Sequence, residues 1–459
     1  MLTVFFSRYS FFWDTIQLAS SHAHFFYNNN LEISLLPDSI DSGHLPAFGY
    51  FLAMAWSVFG KTLVVSHFFM LPFLFGIVYQ TYRLCKYLFP GNIYLPMLVI
   101  LAEPTLLAQS TMVSPDIPLM FFFVLLLNEI LQQGKYLKLL AVIGLSLASM
   151  RGWMAALILF VFDIIIQFSN SKKNFRQIAQ NIMLYLPGGT IAIIFLFVHF
   201  SIKGWIVYHP ASPWASCFEK VDFNGYIRNI GIYIWRLIDF GRIVFWVLAL
   251  VYLKKIAGLF RSDMQFRQII VLLLLFILIF PLNILPYKQL TQHRYFLPIY
   301  FLTALSIVYF LVYIRKKALL AICILILLAG NYIPYPDTIA RGWDSTLAYI
   351  PYNNLRKNII GYLKENNIPP EEVKCWFPNT APAYKIDLVS SDESFSSLPL
   401  DSCNYCFYSN VFNDVSDEEY NIIHKTWIPV YKMYCMGVKT GIFRNPETTG
   451  EKWSIICEK

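Results

Sequence analysis

VLLLLFILIF (residues 271–280) and ALLAICILILLAG (residues 318–330) decide the fold class. With their flanks, both reach the roughly 20 apolar residues that a helix needs to cross the hydrocarbon core of a bilayer. Similar runs recur along the chain. Of 459 residues, 57% are hydrophobic and only 14% charged, against about 25% charged in a soluble domain. The chain reads as a polytopic α-helical membrane protein.

With these two included, spans are predicted near 62–82, 91–110, 117–133, 180–200, 230–253, 268–286, 296–314 and 318–334. Residues 139–169 are too long for one helix and short for two, so a broken pair is expected at Met150-Arg151-Gly152. Residues 1–13 are too short to cross alone. They read as an interfacial stub or as the end of a span that starts upstream. About ten or eleven transmembrane helices result. No secretory signal is evident, because MLTVFFSRYSFFW has neither a basic start nor a small-residue cleavage site.

Charge divides the chain. Residues 335–459 hold 12 Lys+Arg and 16 Asp+Glu, net −4; the first 334 hold 24 and 12, net +12; together they make the +8 of the whole. The basic residues gather in short breaks between apolar runs: Arg83/Lys86, Lys135/Lys138, Lys172/Lys173/Arg176, Lys254/Lys255/Arg261/Arg267 and Arg315/Lys316/Lys317. The positive-inside rule makes these breaks cytoplasmic and puts the alternate breaks, with the tail, outside. The basic balance thus reflects topology and gives no reason to invoke nucleic acid.

Two domains follow. Residues 1–334 form the transmembrane domain, including an outer loop over 14–60 with helical pieces near 14–28 and 45–59. Residues 335–459 have the composition of a small α/β extracytoplasmic domain. YNNLRKNIIGYLKENN reads as a helix, CNYCFYSNVF and GVKTGIFRN as strands, and SDEEYNIIHKTWIPVY as a helix capped by Ser416 with Glu419 at N3. Five of the eight cysteines, Cys375, Cys403, Cys406, Cys435 and Cys457, lie in this tail. An outer compartment permits disulfides, so Cys403-Asn-Tyr-Cys406 reads as a structural disulfide or free thiols rather than half a zinc site, since no second CxxC follows.

The outer loops hold the polar residues with chemical capacity: Asp14, His22, His24, Glu32, Asp38, Asp41 and His44 in the first, Ser114-Pro115-Asp116 in the second, and Lys288, His293, Arg294 and Tyr295 in YKQLTQHRYFLP. Carboxylates and cations on one membrane face suit group transfer from an anionic lipid headgroup to a hydroxyl. A carboxylate takes the hydroxyl proton, and a guanidinium holds the departing phosphate. Neither a P-loop nor a G-x-G-x-x-G opening a helix is present.

Each residue also has a plainer reading. Asp14 and Ser114-Pro115-Asp116 make good helix starts. Asp41 and Asp38 flank a turn-like DSIDSGH, His44 precedes a Leu-Pro, and Arg294 has the reach to snorkel. Arg151 interrupts an apolar run and serves a headgroup or a neighbouring acid equally well. Arg236, Asp239 and Arg242 recur at i, i+3, i+6 and suit an ion-pair ladder on one helix face. Glu103-Pro104 is a kink with a hydrogen-bonded acid or part of a headgroup cavity. His22 and His24 would be metal ligands only if i and i+2 shared a helix face, which they do not.

The order Asp14, SGHLPAFGYFLAMAWSVFGKTLVVSH, SPDIPLMFFFVLLL and HRYFLPIYFLTALS resembles the GT-C superfamily of integral-membrane glycosyltransferases over about 330 residues. It is most similar to the bacterial glycosyltransferase family 39-like group, related to protein O-mannosyltransferases and the lipid A aminoarabinose transferase. The resemblance implies transfer, typically inverting, of a sugar from a polyprenyl-phosphate donor to a lipid, glycan or protein hydroxyl. The reaction would take place on the outer face of the cell (inner) membrane, periplasmic in a Gram-negative cell. It implies Asp14 as catalytic base, Asp116 as the second acid, and Arg294 and Tyr295, with His293 beside them, as donor phosphate contacts. Asp41, His44, Arg151 and Lys288 are further substrate-binding candidates on the same face. The reading names no cofactor, and a divalent metal is compatible with it. Two departures stand out: Asp14 is followed by Thr15 where many relatives have a second acid, and the first span is short.

Rival readings are an O-antigen ligase or polymerase, a transporter or flippase of lipid-linked sugars, and an assembly protein acting through its tail. The first usually carries its large loop between late spans, whereas here the soluble part is terminal.

Overall fold

The computed structural model of the chain describes residues 2–169, 175–206, 208–288, 292–333, 335–336 and 342–446. Lys172, Lys173 and Cys457 lie outside the described residues. The protein is mostly helical with a small C-terminal sheet, and it divides into two compact units. The first contains residues 1–8, 17–333 and 344–346; the second contains 9–16, 334–343 and 347–459. The division falls where the composition changes, near 334. However, the segment holding Asp14 belongs to the second unit and a three-residue piece of the tail to the first.

Among the described residues of the first unit, five helices are long and apolar enough to cross a membrane: Leu63–Leu88, Met150–Phe168, Leu186–Lys203, Met264–Asn283 and His293–Tyr313. A sixth results if Ile243–Val251 and Leu253–Ser262, bent by 80°, form one broken span. Ala47–Phe59, Tyr136–Ala148 and Lys317–Gly330 are apolar but shorter. The count by length is therefore below the ten or eleven expected, because several apolar runs are broken.

Each break has a local cause. Pro104 cannot continue the helix Tyr94–Leu101. Glu103 instead caps a new helix, Pro104–Ser110, by accepting the Leu106 N–H at 2.6 Å. The run 139–169 breaks at Ser149, whose backbone is extended, one residue before the expected site. The helices on either side pack closely. A Cβ on Gly152 would lie 2.0 Å from the Leu145 carbonyl oxygen, so only glycine allows that approach. The predicted span 230–253 breaks at Asp239, followed by Phe240 and Gly241 at φ 49° and 86°.

Buried ion pairs tie the helices together, since a charge in an apolar interior needs a partner. Lys138 Nζ donates to Asp163 at 2.8 Å, and both side chains are 3% exposed. Asn181 and Tyr185 also donate to Asp163. Arg83 pairs with Glu129 at 3.1 Å. Lys138 is thus an interior residue and contributes nothing as a loop charge. The most buried long helix, Leu297–Tyr313, fills the centre of this unit.

The second unit carries a four-stranded sheet in the order β1 (Val373–Lys374), β2 (Tyr405–Ser409), β4 (Val438–Arg444), β3 (Ile428–Cys435). β1 and β2 are parallel, and the other pairs are antiparallel. The helix Ile350–Glu365 was legible from YNNLRKNIIGYLKENN. The capping box of Ser416 and Glu419 is present on Asp417–Lys425, but that helix stops before Trp427 and IPVY enters β3. The residues 9–16 join this unit through the Phe11 N–H to Ile386 O bond at 2.9 Å and the stacking of Phe12 on Tyr349. All described cysteines are free thiols, including Cys403 and Cys406.

Candidate functional site

The first unit forms a partly open cavity of about 200 Å³. Its walls are largely apolar, from Leu18, Phe218 and Ile284. The polar lining is His44, Arg151, Tyr287 and Tyr295, with Ser42, Trp214 and Asn283. Three expected site residues, His44, Arg151 and Tyr295, therefore meet here although they are separated by more than a hundred positions at each step.

Arg151 reaches the cavity because the chain turns at Ser149 and begins a helix at Met150. Its Nη1 lies 2.7 Å from Asp116 Oδ1, and its guanidinium sits 4.2 Å from the centre of the Tyr295 ring. Asp116 opens the helix Asp116–Leu131, with its own N–H donated to Ser114 Oγ at 3.2 Å. The positive end of that helix favours a carboxylate. Its second oxygen is 3.8 Å from Arg294 Nε, beyond direct hydrogen-bond range. Asp116 consequently holds two guanidiniums and is a positioning residue for Arg151.

Arg294 is 3% exposed and does not line the cavity. It lies between Asp116 and Asp344, 3.4 Å from the latter, and donates to the Tyr295 hydroxyl at 3.4 Å. Asp344 escaped the sequence reading. It sits ten residues into the tail in RGWDSTLAY, with no neighbouring motif, and joins the first unit through Gln109 Nε2, which donates to its carbonyl at 2.8 Å.

His293 is turned elsewhere. Fully buried, it lies 2.5 Å from Asp239 Oδ2 in a cluster with Arg236, Arg242 and Glu103. The ladder expected on one helix face is instead a knot at the break between Phe223–Ile238 and Ile243–Val251, closed from a third segment by Glu103. Lys288 pairs with Glu219 at 2.9 Å on the surface, both more than half exposed. Asp41 accepts the Gly43 N–H at 2.8 Å and meets His199 at 3.1 Å, which fixes the backbone leading to Ser42 and His44 without entering the cavity. Asp38 accepts from Lys203 at 2.7 Å, and that hydrogen bond and charge hold its carboxyl below the ordinary value.

Asp14 belongs to the second unit. The backbone around it is unusual. Trp13 has φ 51°, a conformation costly for an aromatic residue, and the helical run beginning at Asp14 passes into a π-helix over Ile16–Ser21. Both features concentrate at functional sites.

His22 Nε2 lies 3.0 Å from Ile40 O, and His24 Nδ1 2.8 Å from Ser20 O. Among the described residues no group of three His, Cys, Asp or Glu side chains is arranged to hold a metal.

His44 is half-buried as a residue, and its ring nitrogen Nδ1 is shielded from solvent. Burial, then Arg151 and His22, lowers its pKa to about 3. The unfolded chain takes up the proton near pH 6.5 and the folded chain does not until about 3. Stability attributable to this residue is therefore complete above pH 6.5 and is lost as the pH falls toward 3. His44→Gln is expected to flatten that part of the acid limb in thermal midpoints recorded from pH 7 to pH 4; an unchanged limb would mean the ring is hydrated.

Comparison with protein-family models, with curated proteins and with solved structures gives no match.

Proposed function

We propose that the chain is a membrane glycosyltransferase that moves a sugar from a polyprenyl-phosphate donor to a hydroxyl of a lipid, glycan or protein acceptor, with the GT-C-type arrangement that its sequence resembles. The observation that carries this reading is Arg151 at the wall of a largely apolar cavity, held flat between Asp116 and Tyr295. A lipid phosphodiester needs that combination: one oriented guanidinium for the phosphate oxygens and apolar surface beside it. Arg151 thereby takes the phosphate role that the resemblance assigned to Arg294, with Tyr295 retained.

In the proposed reaction the acceptor hydroxyl oxygen attacks the anomeric carbon, and its proton passes to the Asp14 carboxylate. The bond from that carbon to the phosphate oxygen breaks, and the polyprenyl phosphate leaves with the electron pair. The base role of Asp14 rests on the resemblance and on the local backbone around Trp13. The outer face of the membrane, and an outer position for the tail, follow from the positive-inside pattern.

Membranes carrying the wild type or Asp14→Asn, given a pool of polyprenyl-phosphate sugars and an extract of acceptors, would be followed by mass spectrometry. Donor loss and product gain are expected for the wild type, reduced by roughly 10²–10⁴-fold in Asp14→Asn at equal protein level. Equal consumption by both would make Asp14 a helix-starting residue. Consumption by neither, with donor and acceptor present, would favour a transporter, for which the buried pair Lys138–Asp163 is a ready-made charge inside the helical unit.

A further inference from the structure

Among the described residues, four buried polar atoms around the cavity find no hydrogen-bond partner: Ser42 Oγ, His44 Nδ1, Trp214 Nε1 and Asn283 Oδ1. Native folds pair the large majority of such atoms, because an unpaired buried one costs about 1–3 kcal/mol. Four in the lining of one cavity are a concentration that the fold itself does not explain. Ser42 is only 3% exposed, and Asp41 holds its backbone in place through the Gly43 N–H. The site is therefore built before anything binds.

The chemistry of the set specifies its complement. An indole N–H only donates, an amide oxygen only accepts, a hydroxyl does both, and an imidazole nitrogen does one or the other by tautomer. A ligand that satisfies all four must offer donors and acceptors at several neighbouring positions. Vicinal hydroxyls on a ring do so, and the Trp214 and Tyr295 rings give apolar surface to its C–H faces.

Charge narrows the class further. Arg151 is the one charged side chain among the described lining residues, and its partner Asp116 stands behind it. No Asp or Glu is among the described lining residues. With Arg151 already shared between Asp116 and the donor phosphate, an ammonium group there would have no lining carboxylate of its own among the described residues, a costly burial.

We infer that this cavity seats the glycosyl ring of the donor, that the ring is an uncharged polyol rather than an amino sugar, and that Ser42, His44, Trp214 and Asn283 bind its hydroxyls. The inference rests on the transferase reading and adds to it the class of sugar and the residues that select it.

The test uses the full chain in detergent and three probes: a ten-carbon isoprenyl phosphate, its neutral hexosyl ester and its aminohexosyl ester. Affinities would be read by native mass spectrometry. The neutral hexosyl ester is expected to bind about tenfold more tightly than either other probe. Ser42→Ala and Asn283→Leu should each remove about tenfold from that ester and leave the bare isoprenyl phosphate within about twofold. Asn283→Asp should reverse the preference toward the aminohexosyl ester, a gain that misfolding cannot imitate. Equal binding of all three probes, indifferent to the variants, would show a cavity filled by water; the inference falls and the lipid-phosphate reading stands. Tightest binding of the aminohexosyl ester by the wild type would also overturn it. Binding of none would overturn the transferase reading and this inference together.

Discussion

Arg242→Ala is expected to lower the unfolding free energy by about 3–5 kcal/mol, the cost of breaking a buried ion pair from one side. Arg242 is 2% exposed. Its Nε donates to Glu103 at 2.9 Å and its Nη1 to Asp239 at 2.9 Å, while Nη2 reaches both Glu103 and Thr105. The guanidinium also lies 3.7 Å from the centre of the Tyr300 ring. Its removal strands Glu103 in an apolar interior, leaves Asp239 to His293 and Arg236, and leaves the break at Asp239–Gly241 without its tie to the break at Glu103. Combining Arg242→Met with Glu103→Gln removes that buried pair from both sides, keeps Asp239 for His293 and Arg236, and should recover most of the loss. Unfolding by sodium dodecyl sulfate titration in mixed micelles would read both effects. A single-variant loss below about 1 kcal/mol would mean that water reaches the knot.

On the proposed transferase reading, Arg151→Lys is expected to reduce transfer by roughly 10²–10³-fold, the usual effect of removing one preorganised stabiliser of developing negative charge. The ammonium keeps a charge for Asp116, so the thermal midpoint should stay close to that of the wild type. What is lost is the planar fork that stacks on Tyr295 and can meet two phosphate oxygens. Arg151→Ala, by contrast, should lose stability as well, because Asp116 is 2% exposed and has no other cation within 3 Å among the described residues. Activity within tenfold of wild type in Arg151→Lys, at equal protein level, would return the phosphate role to another cation.

The candidate site was legible in parts. SPD at the head of a helix correctly marked Asp116 as a carboxylate at a helix N-terminus, since capping and dipole preferences are local. His44 and Tyr295 were named as candidates in polar loops and Arg151 as a charge interrupting an apolar run, and the three do line one cavity. Ser42, Trp214 and Asn283 carried no signal, because a single Ser, Trp or Asn in a loop is ordinary. Their significance is that their polar atoms are buried and unpartnered. His293, Arg294 and Lys288 looked alike in YKQLTQHRYFLP and ended in three settings: a buried knot, a buried bridge and an exposed pair.

Composition and apolar run length by themselves determined that this is a helical chain with helices of membrane length, and where its tail begins, because both depend on summed hydrophobicity along contiguous residues. Short-range chemistry likewise determined the capped helix Asp417–Lys425 and the Pro104 break. Only the tertiary structure decided which charges pair. Arg242 reaches Glu103 across 139 positions, and Lys138 turns inward to Asp163. Only it decided that Arg151 rather than Arg294 faces the cavity. A charge in an apolar interior must find a counter-charge wherever packing brings one, and that choice depends on distance in space, which no local pattern of residues encodes.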